Sequence, residues 1–165
     1  MRNRGFTLIE LVIVLVVISL SVALVTPSLS RFSRRVEIKA SAQKISGILR
    51  YFRSESVQRG RVYQVLFDTD LREVRVQALE EDEKGEGEKS PGEQRFFKKS
   101  YSLPEGIQMK EFKIPSPEFQ SDLPTIEFYP NGSSNGGSIL VDAQDQKGFR
   151  IKVHFLTGIV EIEEV

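Results

Sequence analysis

The 165-residue sequence contains no cysteine and only one histidine. Without thiols there is no disulfide framework, and whatever holds the fold together must come from packing alone. A single histidine with no cysteine beside it also excludes the common His/Cys metal clusters. That residue, His154, sits in the alternating run KVHF and reads as an ordinary strand side chain. No G-x-S-x-G elbow and no Walker loop occurs, so neither an activated serine nor a nucleotide phosphate site is marked. The glycine-rich NGSSNGG reads as turn chemistry, and the acidic run EEDEKGEGEKSPGEQ lacks the D-x-D-x-D-G spacing of a calcium loop. These absences point away from an enzyme, a metal site, a cofactor or a small-molecule substrate.

Net charge is also absent, with 23 basic and 23 acidic residues. The balance hides an asymmetry. From Arg31 to Arg61 nine basic residues face two acids, a net of +7, whereas from Val62 to Val165 twelve face twenty, a net of −8. A basic stalk carries an acidic head, which makes nucleic acid an unlikely partner for the head as a whole.

Apolar residues are unevenly spread too. From Arg4 to Arg31 the only charged side chain between the two arginines is Glu10, and residues 6–26 form a mostly apolar run. As a helix rising about 1.5 Å per residue, such a run spans a bilayer core of roughly 30 Å, so a transmembrane segment is expected over 6–26. A secretory signal peptide fits less well, because no small-residue cleavage pattern follows the run. Orientation stays open on charge alone, since Arg2 and Arg4 flank one end and Arg31, Arg34, Arg35 and Lys39 the other.

Beyond Pro27, which predicts a kink or break, Ile38, Ala42, Ile45, Leu49 and Phe52 recur at spacings of four and three and mark one helical stripe. Gly60 suits a helix C-terminus, so a helix over 6–59 in two segments is expected. From there the period changes to two. The runs VYQVLFD, LREVRVQAL, RFFKKSYSL, IQMKEFKI, TIEFYP, SILVDA, FRIKVHF and IVEIEE read as strands separated by turn residues. The expected fold is α+β: a long N-terminal helix packed on a C-terminal antiparallel β-sandwich or twisted sheet, with a head over 60–165 and a flexible acidic loop at about 80–94.

Glu10 is the anomaly within the apolar run. Burying a carboxylate near a bilayer costs roughly 2–3 kcal/mol at the helix centre, so the acid either stays at the interface or meets a cation. The stretch RGFTLIELVIVLVVISL resembles the N-terminal signature of type IV pilins and of the pseudopilins of type II secretion. That resemblance implies a leader over 1–5, cleavage by a prepilin peptidase between Gly5 and Phe6, and methylation of the Phe6 amine. It also implies an assembly role for Glu10, a single-pass anchor in the cell inner membrane, and a periplasmic head.

The segment from Thr125 to Ile162 resembles the end of the H-type minor pseudopilins and the related FimT-type minor pilins, with Phe128, Gly132, Gly137, Ile139 and Gly158 at matching places. The implied function is a minor subunit that helps initiate or cap a periplasmic secretion pseudopilus, with other pilin-like subunits, the peptidase and the cytoplasmic membrane as partners. Two other readings stand beside it. One is a minor type IV pilin serving pilus biogenesis or DNA uptake, for which KGFRIK offers Lys147, Arg150 and Lys152. The other is a monomeric anchored domain.

Overall fold

The computed structural model describes residues 6–79, 95–119, 121–144 and 146–165, and the side chains of these residues except 22–31 and 95–98. The leader and the acidic loop anticipated at 80–94 lie outside the described residues. By its internal contacts the chain divides into two compact units, Met1–Val36 and Glu37–Val165.

Helix α1 spans Leu8–Arg59. It is unbroken through Pro27, so of the kink or break expected there the break does not occur. Its end is specified locally. Gly60 takes φ 62°, and Arg61 N–H donates to Ser56 O at 3.3 Å, the six-to-one bond of a Schellman cap. Among the described residues no helix is long and apolar enough to cross a membrane. The span expected over 6–26 runs into 22–31, whose side chains are outside the described set, and the described part alone is shorter than the roughly 20 residues a bilayer requires.

Among the described residues eight strands follow: β1 (Val62–Asp68), β2 (Glu73–Leu79), β3 (Arg95–Ser102), β4 (Ile107–Lys113), β5 (Thr125–Phe128), β6 (Gly137–Ala143), β7 (Phe149–Val153) and β8 (Val160–Glu164). They form two antiparallel four-stranded sheets, in the orders β3-β2-β1-β5 and β4-β6-β7-β8. All eight fall on runs with strand patterning. The division into two sheets does not follow from that patterning, because β4 leaves its sequence neighbour β3 to pair with β6.

In the Glu37–Val165 unit, the helical stripe joins the inward faces of both sheets in one core. Ile38, Ala42, Ile45 and Leu49 are fully buried and Phe52 is 1% exposed. Phe52 meets the ring of Tyr63 at 5.4 Å, and Phe67 of β1 meets Phe112 of β4 at 5.9 Å, tying one sheet to the other. Burying side chains of this size contributes about 1.5–3 kcal/mol each. Phe52→Ala should therefore lower unfolding free energy by about 3–5 kcal/mol through lost burial and a residual cavity. Tyr51→Ala, next to it on the exposed side of the helix, should change stability by less than about 1 kcal/mol. Urea unfolding of the two variants tests the contrast, and equal losses would contradict the assigned stripe.

Candidate assembly site

The amino-terminal motif is positioned by the first turn of α1. Gly5 lies outside the described residues. Phe6 precedes the helix and is 81% exposed, and Thr7 occupies the N-cap position. Glu10 N–H lies 3.1 Å from Thr7 O and 3.4 Å from Thr7 Oγ1, the bond an N-cap threonine makes to the third helical residue. Thr7-Leu8-Ile9-Glu10 is thus a T-x-x-E capping-box sequence, a signal available in the sequence but overlooked there. As an acid in the first turn, Glu10 also complements the partial positive charge of the helix start.

Around this acid the helix is apolar on all sides. The large apolar side chains from Phe6 to Leu20 are all exposed, from 43% at Val12 to 82% at Leu8. Soluble monomers rarely expose a continuous apolar surface of this extent, which marks it as an interaction surface.

The head contains a different polar construction. Gln77, Gln64 and Glu127 stand directly opposite one another on β2, β1 and β5, on the sheet face away from the helical core. Gln77 Nε2 donates to Gln64 Oε1 at 2.6 Å, and Gln64 Nε2 donates to Glu127 Oε1 at 2.9 Å. Glu127, fully buried, accepts further bonds from the backbone N–H groups of Glu118 and Phe119 and from Tyr129 OH, at 2.8, 3.1 and 2.9 Å. The carboxylate is satisfied from four directions, which is what allows a charge-bearing group to sit there. Asn135 completes the edge. Its Oδ1 accepts from Glu127 N–H at 2.9 Å and its Nδ2 donates to Thr125 O at 3.0 Å, as a neighbouring strand would. The carboxamide blunts an otherwise open edge.

Two groups weighed for function are already engaged. Arg150 pairs with Glu111 at 2.7 Å and Lys152 with Glu163 at 2.6 Å, so two of the three bases considered for DNA contact have acidic partners. His154 faces Glu161 at 3.2 Å on the exposed surface, as a strand-end histidine. Among the described residues no group of His, Asp and Glu is placed to hold a metal ion. The positions that carried the C-terminal resemblance have structural reasons: Phe128 and Ile139 are fully buried in the core, and Gly132, Gly137 and Gly158 all adopt positive φ.

Comparison with known proteins completes the picture. Residues 1–26 match the prokaryotic N-terminal methylation motif, and residues 41–157 match the family of the type II transport protein GspH. A type II secretion system protein H of Xanthomonas campestris is 23% identical over 157 residues, 95% of this chain and 81% of its own length. Its counterpart in Pseudomonas aeruginosa is 33% identical over 72 residues, 44% of this chain and 42% of its own. The solved structure of the minor pseudopilin EpsH from the type 2 secretion system of Vibrio cholerae superposes with a TM-score of 0.55 at 19% identity, covering 78% of this chain and 97% of that one. The type IV minor pilin FimU of Pseudomonas aeruginosa superposes at 0.53 with 17% identity, over 80% of this chain and 92% of that one.

A long helix opening on a methylation motif and packed on antiparallel sheets defines a pilin-like subunit. More specifically, the chain belongs to the family of the type II transport protein GspH, the minor pseudopilins of type II secretion. The family is structural and not enzymatic. Its membership brings pseudopilus assembly with other pseudopilins and prepilin-peptidase processing, at the inner membrane and periplasm.

The polar ladder yields two measurable consequences. Asn135→Ala would strand Thr125 O and Glu127 N–H in a buried place, at about 1–3 kcal/mol for each group, and chemical denaturation should register the loss. A second concerns alkali. Burial, then the hydrogen bond to Glu127, raises the Tyr129 phenol above its ordinary 10.0, and burial likewise raises Tyr63. A folded state that holds the phenolic proton more tightly than the unfolded chain has this stabilisation in full below pH 10 and loses it as pH climbs above that. Tyr129→Phe should flatten the alkaline fall in melting temperature, and an unchanged slope would mean the phenol is not coupled to folding.

Proposed function

We propose that this subunit helps initiate or cap a periplasmic pseudopilus. In this reading its N-terminal helix is anchored once through the inner membrane and docks among the helices of other pilin-like subunits, with the head in the periplasm. The observation that carries the proposal is the apolar surface of residues 6–20, bare on every side and marked by one acid, Glu10. A minor subunit with a large independent head and a helix of this kind can join the assembly through the helix alone. The paired Arg150 and Lys152 and the acidic balance of the head favour this over the DNA-uptake alternative.

The chemistry proposed at the N-terminus begins with cleavage between Gly5 and Phe6, which creates a new cation at Phe6, subsequently methylated. Glu10 then pairs with that amine on a neighbouring subunit offset along the filament axis. Low dielectric strengthens such a pair, and an unpaired charge there is costly, so apolar helices that could otherwise slide acquire a register. The capping role of Thr7 makes a sharper test possible. The bond from Thr7 goes to the backbone N–H of residue 10, and glutamine matches glutamate in size and helix propensity, so Glu10→Gln keeps the local structure and removes only the charge. Both Glu10→Gln and Glu10→Ala are expected to insert and be cleaved normally, yet cross-link poorly to other pseudopilins. Normal cross-linking of Glu10→Gln with loss in Glu10→Ala would overturn the charge pairing and show that assembly needs the size or polarity of this side chain instead. Mass spectrometry of the cell-derived protein should find N-methyl-Phe6 at the start, with Gly5→Val leaving the precursor uncut. An intact Met1 in assembled protein would refute the processing.

A further inference from the structure

Arg53 lies in the last two turns of α1 and reaches two loops far from it in sequence. Its Nε–H points at Thr157 O, 2.8 Å away, and at Gly132 O, 3.2 Å away, so one donor is shared by both carbonyls. The loops are in turn joined by their own backbones, Ser134 N–H donating to Phe155 O at 2.9 Å. Gly158 makes this approach possible. With φ 61°, it would place a Cβ 2.6 Å from Gly132 O and 2.9 Å from Arg53 Nε, closer than any side chain could settle against backbone. One turn along the helix, Ser56 Oγ lies 3.1 Å from Tyr129 O, adding a second attachment to the first loop.

The same loop supplies the cover of β5. Ser134 bridges Phe128, and Asn135 occupies the hydrogen-bonding positions of Glu127 N–H and Thr125 O. Loop 129–136 therefore forms a flap over the edge strand β5, loop 154–159 is joined to it through Ser134 and Phe155, and the helix end holds the pair through Arg53 and Ser56. The inward side chains of β5 and β7 belong to the core, whereas Phe155, Leu156 and Ile159 of the second loop are exposed at 64%, 77% and 49%. Little apolar burial holds the second loop in place, and segments of that kind open at a lower free-energy cost than a packed core.

We infer that Arg53 is the latch of this flap: its guanidinium holds the loop pair closed over β5, and without it the flap opens while the two-sheet core stays folded. Opening frees the Thr125 O and Glu127 N–H groups that Asn135 now occupies. Arginine suits the position because a charged N–H partway along its side chain can be shared by two carbonyls, which a terminal ammonium on a longer, freer stem does less well.

Peptide-resolved hydrogen–deuterium exchange of the full chain in detergent tests the latch. In Arg53→Met, amides of 129–136 and 154–159, together with Glu127, should exchange about 10- to 100-fold faster than in the parent, with Val65, Val76 and Ile151 unchanged. Gly158→Ala should reproduce the same local pattern by displacing the guanidinium, and Arg53→Lys should fall between parent and Arg53→Met. Lys44→Met is the control, because Lys44 Nζ donates to Ser102 O at the far side of the first sheet and should leave the flap protected. Faster exchange throughout the head in Arg53→Met, including a variant that melts as a whole, would show that Arg53 supports global stability and overturn the latch. So would unchanged exchange in the two loops.

Discussion

Everything in the head depends on burying one stripe of a helix. Ile38, Ala42, Ile45, Leu49 and Phe52 lose all or nearly all contact with water, and their partners come from both sheets. Neither sheet could close the core alone, because each is a four-stranded layer with one apolar face. At about 1.5–3 kcal/mol per large side chain, the stripe matches in size the whole net stability of a typical domain, about 5–15 kcal/mol. The helix is thus both the attachment of the head to its N-terminal segment and the central element of the head's own core.

That arrangement dictates the chemistry of the opposite sheet face. With Tyr63, Val65 and Phe67 of β1 turned to the core, Val62, Gln64, Leu66 and Asp68 point the other way, yet every residue of this strand is buried. The covering comes from the segment before β5, bound through Glu118 N–H, Phe119 N–H and Phe119 O. Polar groups enclosed in this way must be paired, and the Gln77, Gln64 and Glu127 ladder meets the demand by placing complementary groups at the same register on three strands. The buried acid at its end is a structural necessity once an irregular loop with free amides lies over the sheet.

How far the sequence foretold this depends on the range of the interaction. The helical stripe, the Gly60 cap and the eight strands rest on local periodicity and turn chemistry, and these were legible. The pairing of β4 with β6 and the polar ladder were not, because Gln64, Gln77 and Glu127 look like outward-facing positions until three distant strands come into register. Asn135 likewise reads as a turn residue, and only tertiary placement turns its carboxamide into a substitute strand. At the N-terminus the motif around Phe6 and Glu10 was plain, while the Thr7 cap was present in T-x-x-E and passed over in favour of the charge. At Pro27 the local rule allowed a kink or a break, and the helix runs unbroken from Leu8 to Arg59, so the break does not occur.

The basic stalk acquires a physical explanation from the same geometry. A stripe of aliphatic residues at three- and four-residue spacing fits nearly as well after sliding one turn, about 5.4 Å, along the helix axis, so hydrophobic burial alone specifies the docked face better than the axial position. Lys44, Arg50 and Arg53 remove that freedom. Their donors meet the carbonyls of Ser102, Val160 and Thr157, each at 2.8 Å, at the ends of strands and turns whose positions the sheets have already fixed. A one-turn slip would cost three charge-assisted hydrogen bonds together, and the carbonyls would have no replacement donors on the apolar stripe. Charge placed beside an apolar helix face thus sets register within the head, by the same physical principle that is proposed for Glu10 among the helices of neighbouring subunits.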